Sequence, residues 1–319
     1  MSKLNILWAS IDRSYRVAGH FDDLKFEFKK LANIKEISHN PNGEYPGAWI
    51  KKILDGKIKL NKIVEKELNS GNNYDAIFCD SLFAYGNENW KSINIPKFMI
   101  LEDQHSYVPK MQVDLAKKYN FICLHRYQLN KFHKNLNNHI KCIWFPHSVN
   151  TKIFKDYHLD KNIGILQYGA ISKVYETRNF AKNHFSNYKF YKFIKRPKET
   201  DKVKWPIRDD LARLINCSNM SVACGSIYQY PVMKYFEIPA CGSIIFGEWF
   251  HELAELGFKR NFNFVELNRG KYDTQINNLL KNKERLNIYS KNGLKLIQKR
   301  HSNVIRAKDL DRIIRKEIK

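Results

Sequence analysis

Pro231-Val232-Met233-Lys234-Tyr235-Phe236-Glu237-Ile238-Pro239-Ala240-Cys241-Gly242-Ser243-Ile244-Ile245-Phe246 reads as a polar approach, one or two turns of helix, a small-residue break and a buried strand. A helix that passes into a strand apolar on both faces is the unit from which parallel α/β sheets are built. Within it, Glu237 is the one carboxylate, and Lys234 stands three residues before it. Residues three apart share a helix face, so a cation and an anion project together where the helix begins. That pairing suits a nucleoside diphosphate: the carboxylate accepts both ribose hydroxyls while positive charge and free backbone N–H groups meet the phosphates. The same spacing also suits a solvated Lys–Glu pair on an ordinary surface helix.

Working outward, the pattern repeats. Short apolar runs recur at Asn5–Ala9, Asp75–Cys79, Lys97–Leu101, Phe121–Leu124 and Cys142–Phe145, with helix-like segments at 21–31, 50–68 and 110–119. A proline turn follows at Phe145-Pro146-His147-Ser148-Val149-Asn150, and the alternation restarts with Ile163–Tyr168. Further strands are expected at 188–193, 220–224, 243–246 and 262–265. Helices are expected at 175–185, 208–214, 232–240, 250–256, 272–280 and 283–297, with a basic helix over 303–319. The fold class is therefore α/β, two doubly wound lobes, with residues 1–150 and 151–300 as domains and a C-terminal basic helix at 301–319.

The 319 residues suffice for two domains with real cores, since 43% are hydrophobic and 13% aromatic. The six cysteines show no CxxC spacing and sit mostly in apolar runs, which predicts buried thiols in a reducing compartment rather than disulfides or a zinc site. The N-terminal apolar run is too short for a signal peptide, and no run reaches the length of a membrane span. The expected location is the cytoplasm, with peripheral contact at the inner face of the membrane. A net charge of +23 favours polyanionic partners. A solvated lysine-rich surface, an anionic membrane or acceptor, and nucleic acid all fit that charge. The most basic stretch, Lys189–Lys204, suits either a phosphate grip or an exposed loop. The chain lacks GxGxxG, P-loop, HExxH and GxSxG motifs, which removes support for dehydrogenase, kinase, zinc-protease and α/β-hydrolase readings.

Three segments carry a resemblance to glycosyltransferases of the GT-B fold, in the group-1-like branch that includes CgeB-type proteins. Phe145–Phe154 resembles the linker into the second domain. Lys234-Tyr235-Phe236-Glu237-Ile238-Pro239-Ala240-Cys241-Gly242-Ser243 resembles the donor-binding helix start with its Phe-Glu-x-x-Ala-x-Gly pattern. His301 with Arg306-Ala307 resembles the C-terminal helix in which a His and an Arg-Ala pair recur, and the likeness implies that 301–319 returns toward the first lobe. The resemblance covers most of the second half, and the first half through strand order alone. It implies a nucleotide-sugar donor as substrate, a site in the cleft between two Rossmann-like lobes, and a glycan or lipid-linked acceptor.

Carried over position by position, the resemblance places Glu237 on the ribose diol, with Gly242 and Ser243 under the nucleotide. Lys173 and Arg178 meet the diphosphate, beside Lys234. In the first half it puts Gly19-His20 after the first strand, and Asp103 and His105 follow a strand end, a usual place for catalytic groups in open sheets. Asp103 also suits a helix N-cap, His105 a structural hydrogen bond and Lys173 a solvated loop. Gln229 stands where the retaining branch has an acid eight residues before the ribose glutamate, so the stereochemistry stays open. Inversion requires a base, for which Asp103 or His105 is the candidate. Asp22-Asp23 and Asp209-Asp210 read as helix starts rather than as a metal-binding pair, so no obligatory metal is expected. The alternatives are a DNA-base glycosyltransferase, a non-catalytic polyanion-binding protein of the same fold, and a nucleotide-sugar epimerase.

Overall fold

A computed structural model describes residues 2–10, 20–38, 60–79, 90–101, 107–127, 140–195, 207–267, 270 and 272–319. The chain divides into two compact units, Met1–Pro146 with Arg306–Lys319, and His147–Ile305. In the first, the elements run β1 (Asn5–Ser10), α1 (His20–Phe28), β2 (Asn33–Ser38), α2 (Leu60–Leu68), β3 (Ala76–Cys79), β4 (Lys97–Leu101), α3 (Tyr107–Tyr119), β5 (Phe121–His125) and β6 (Cys142–Trp144). The sheet order is β2-β1-β3-β4-β5-β6, every pairing parallel.

Alternation along these strands divides the core into two layers, because successive side chains point to opposite faces. Leu7, Ala9, Ile77, Cys79, Met99 and Leu101 pack on one face with Val64 of α2 and Val113 and Ala116 of α3. Ile6, Trp8, Ala76, Phe78, Phe98 and Ile100 pack on the other with Leu24 and Phe28 of α1. Because both faces are covered, β3 and β4 are buried throughout and read as near-continuous apolar runs, with Lys97 of β4 the one charged residue. β2 is one of the two edge strands, and its Asn-Ile-Lys-Glu-Ile-Ser sequence mixes polar and apolar residues, which concealed it from the sequence reading.

The second unit runs β7 (Ile163–Gly169), α4 (Glu176–Phe185), β8 (Tyr191–Lys195), α5 (Arg208–Asn216), β9 (Ser218–Ala223), α6 (Lys234–Ala240), β10 (Ile244–Gly247), α7 (His251–Glu255), β11 (Phe264–Glu266), α8 (Tyr272–Lys281) and α9 (Lys283–Leu296). A π-helical turn, Ile297–His301, precedes the last helix, α10 (Asn303–Glu317). Of α10, Ala307, Leu310 and Ile314 belong to the core of the first unit. The sheet order is β11-β10-β9-β7-β8, again all parallel. Winding reverses between β7 and β9, and in such sheets ligands bind beyond the carboxyl ends of the strands at this switch point.

One face of this sheet packs Ile165, Met220, Val222, Ile244 and Phe246 against Phe185, Ile276 and Leu286. On α6, Tyr235 and Phe236 pack into an aromatic group with Phe250, Phe258, Phe264 and His301. The expected strand at 188–193 lies three residues later. Tyr188 and Phe190 pack onto the core from the preceding turn, so their apolarity does not mark strand. The cysteines of both units are free thiols. Asp209 and Asp210 occupy the first turn of α5, where the helix dipole favours acids.

Candidate functional site

Three chain segments of the second unit meet where its winding reverses. β7 ends in Tyr168-Gly169-Ala170, the first turn of α4 carries Thr177 and Arg178, and α6 opens with Lys234 and Glu237. The Lys234 ammonium donates to the Tyr168 carbonyl and sits 3.3 Å from the centroid of the Tyr168 ring. A desolvated cation over a tyrosine face gains about 2 kcal/mol, which helps hold an amine in so enclosed a place. The Tyr168 hydroxyl donates to Glu237 Oε2 at 3.3 Å. Arg178 is 5% exposed; its Nη1 donates to the Ala170 carbonyl at 3.2 Å, and Tyr175 covers its guanidinium at 3.9 Å. Arg178 Nε is buried with no hydrogen-bond partner among the described residues.

Gly169 lets the two cations converge. Its φ of +106° is open to glycine and strained for other residues, and a Cβ there would lie 3.0 Å from Lys234 Nζ and 3.6 Å from Arg178 Nη1. Electrostatics follow from this crowding. Burial first, then the neighbouring guanidinium, holds the Lys234 ammonium well below the ordinary lysine range, with Glu237 pulling it back. Burial raises the Glu237 carboxyl, opposed by Lys234 and by the Tyr168 hydrogen bond. Burial and the Glu237 charge push the Tyr168 phenol well up. Two cations that disfavour each other, beside one half-satisfied acid, leave positive charge that an incoming anion would offset.

Glu248, just past β10, ties the neighbouring segments together. Its carboxylate accepts from Thr177 Oγ1 at the start of α4 and from the Gly225 N–H beyond β9. Sequence reasoning passed over it and Tyr168. Glu248 carried the signal applied to Asp103, a polar residue just past a buried strand, whereas Tyr168 lies within β7. What a single sequence withholds is that β7, β9 and β10 end side by side.

The remaining expected residues lie on other segments. Lys173 is exposed in the turn between β7 and α4. Gln229 is exposed in the loop after β9, at a left-handed φ of 55°. Gly242 and Ser243 stand at the other end of α6 from Lys234 and make contacts of their own. Gly242, at φ +64°, closes the helix: its N–H bonds the Pro239 carbonyl and the Ser243 N–H bonds the Ile238 carbonyl, the paired termination a left-handed glycine makes. Its own carbonyl is held by Lys161 and Ser290, each at 2.8 Å. The Ser243 hydroxyl is buried against Ser218 and Ser221 at the entry of β9. His301 is buried in the second unit with Nε2 at 2.8 Å from the Leu256 carbonyl, and Arg306 of the first unit pairs with Asp309 at 2.9 Å. Gly19, Asp103, His105 and the side chain of His20 lie outside the described residues, although His20 itself opens α1.

By sequence, the chain matches no family model and no curated protein. By fold, it is similar to Anabaena HepE solved in complex with UDP-glucose, at a TM-score of 0.66 and 12% identity over 98% of this chain and 100% of that one. Sucrose-phosphate synthase from Thermosynechococcus elongatus gives 0.64 at 12% identity over 98% of both chains. A glycosyltransferase from Rickettsia africae gives 0.60 at 13% identity over 100% of this chain and 99% of that one. These neighbours share the two-sheet GT-B architecture with this chain, end to end.

Proposed function

We propose that this protein is a glycosyltransferase that takes its sugar from a nucleotide-sugar donor bound at the switch point of the second unit. One observation carries the reading: Arg178, Lys234 and Glu237 converge around Tyr168 beyond the end of β7. Glu237 keeps Oε1 for the ribose diol while Oε2 accepts from Tyr168. Arg178 and Lys234 face the diphosphate, whose negative charge grows as the glycosidic bond breaks. Fixed cations that stabilise this leaving group take the part a divalent ion would otherwise play, so the reaction proceeds without metal. Neighbours of the same fold that bind UDP and UDP-glucose support a pyrimidine diphosphate as the first ligand to try.

In this reading Asp103 or His105 supplies the base if the reaction inverts, with His20 beside the reacting sugar. If the reaction retains, the departing phosphate takes the acceptor proton. The acceptor is a surface polysaccharide or a lipid-linked glycan precursor, a class that a strongly basic protein meets at anionic surfaces. The same charge of +23 also suits duplex DNA as acceptor. A steep fall of DNA affinity with salt, together with sugar transfer to DNA bases, would favour that second reading.

The test is a thermal-shift screen against UDP, GDP, CDP and dTDP and their sugars, followed by donor turnover with chelator present. A ligand that binds only the folded chain raises its melting temperature. A shift with one nucleotide series and chelator-insensitive turnover is the expected result. No shift with any diphosphate overturns the assignment, and loss of turnover in chelator overturns the metal-free part.

A further inference from the structure

Away from the site, the second unit presents a face that combines unpaired amines with bulky apolar side chains. Along α9 and the π-turn, Ile288, Lys291, Lys295 and Lys299 recur at helical spacing, and all four are exposed. The turn before β11 lies alongside: Asn292 Nδ2 donates to the Phe262 carbonyl at 3.2 Å, and the Asn263 carbonyl lies 3.9 Å from where a Cβ on Gly293 would point. This places Lys259 and Phe262 beside the stripe, with the Lys259 ammonium 5.8 Å from the Phe262 ring.

Two exposures decide what this face suits. Phe262 is 47% and Ile288 48% exposed, two of the few large apolar side chains so open among the described residues. The acids nearby are largely occupied or peripheral. Glu266 pairs with Arg260 at 2.6 Å, Glu255 pairs with His251 at 3.3 Å, and Glu284 sits one turn before Ile288 at the head of the helix. Lys259, Lys291, Lys295 and Lys299 have no ion-pair partner among the described residues.

We propose that this face docks on an anionic lipid bilayer, with Phe262 and Ile288 entering the headgroup region and the four lysines on lipid phosphates. Amines alone would suit any polyanion. Bulky apolar groups set among them are stabilised only where an apolar phase lies directly under the anions, as it does in a bilayer and not along a nucleic-acid backbone. The inference does not depend on the glycosyl-transfer reading, since no residue of the face belongs to the donor site.

The test is co-sedimentation of the full chain with unilamellar vesicles of phosphatidylcholine, alone or with one quarter phosphatidylglycerol. Binding to the anionic vesicles and not to the neutral ones is expected. The triple variant Lys291→Gln, Lys295→Gln, Lys299→Gln should bind at least tenfold more weakly. Phe262→Ser and Ile288→Ser should each reduce the binding that survives raised salt, and all variants should keep the parent melting temperature and UDP affinity. Absence of binding to anionic vesicles overturns the proposal, as does triple-variant binding equal to the parent's. Equal effects of salt and of both serine substitutions on vesicle and duplex-DNA binding would also overturn it, since the face would then be a general polyanion surface.

Discussion

Replacing Glu237 by glutamine separates binding from stability. The glutamine carbonyl keeps an acceptor for the Tyr168 hydroxyl, now 3.3 Å from Oε2, while the charge and the second acceptor oxygen disappear. A hydrogen bond to a charged group contributes about 1.5–3 kcal/mol, and a ribose diol held by a carboxylate makes two. Burial already raises this carboxyl's pKa, so part of that gain offsets desolvation. The net loss on nucleotide binding should be roughly 2–4 kcal/mol, or about 30- to 700-fold in Kd. Stability should move the other way. A carboxyl whose pKa is raised by folding binds more protons folded than unfolded, so its contribution weakens as pH rises from the unfolded value through the folded one. Glu237→Gln removes that penalty, and the variant should melt at or above the parent temperature at neutral pH. Calorimetric titration with UDP and thermal melts at pH 5 and pH 7.5 check both halves. Unchanged UDP affinity, or a variant that unfolds well below the parent, would refute the reasoning.

A bound diphosphate favours the charged amine and so opposes the burial and the Arg178 charge that lower the Lys234 pKa, and UDP affinity should fall as pH rises toward the ordinary lysine range. Calorimetric titrations from pH 7 to pH 9 check this, and a Kd independent of pH would contradict it. Gly169→Ala forces a Cβ to within 3.0 Å of Lys234 Nζ at a left-handed φ. It should cost about 1–2 kcal/mol of stability and displace the amine, with weaker UDP binding measured by calorimetry. Gly242→Ala should cost a similar amount, by loss of the helix termination, while leaving UDP affinity at the parent value. Lys97 is 8% exposed, its ammonium donates to the Ile93 carbonyl at 2.8 Å, and burial lowers its pKa. Its contribution therefore improves as pH rises from the folded pKa toward the unfolded 10.5, so urea unfolding from pH 7 to pH 10.5 should show the parent gaining on Lys97→Met, and parallel curves would count against it.

The parallel sheets were legible because their central strands are apolar on both faces, as at Ala76–Cys79 and Ile163–Gly169. Two of the four edge strands were harder: β2 was missed and β8 displaced, since polar and apolar residues mix in both, whereas β6 and β11 at the other edges were expected. Lys234 and Glu237 could be paired from their spacing alone, a local property of one helix. Tyr168 and Glu248 could not, because their parts arise from strands adjacent in space and distant in sequence. Gly242 shows a related ambiguity. Glycine after a helix serves equally to close the helix or to admit a ligand, and only the direction of α6 relative to the sheet separates the two.

A crystal of the protein soaked with UDP addresses the central claim most directly. The pentose hydroxyls should be found on the Glu237 carboxylate, and the phosphate oxygens within hydrogen-bond distance of the Arg178 guanidinium and the Lys234 ammonium. Nucleotide bound at any other place, with these three side chains untouched, would contradict the account.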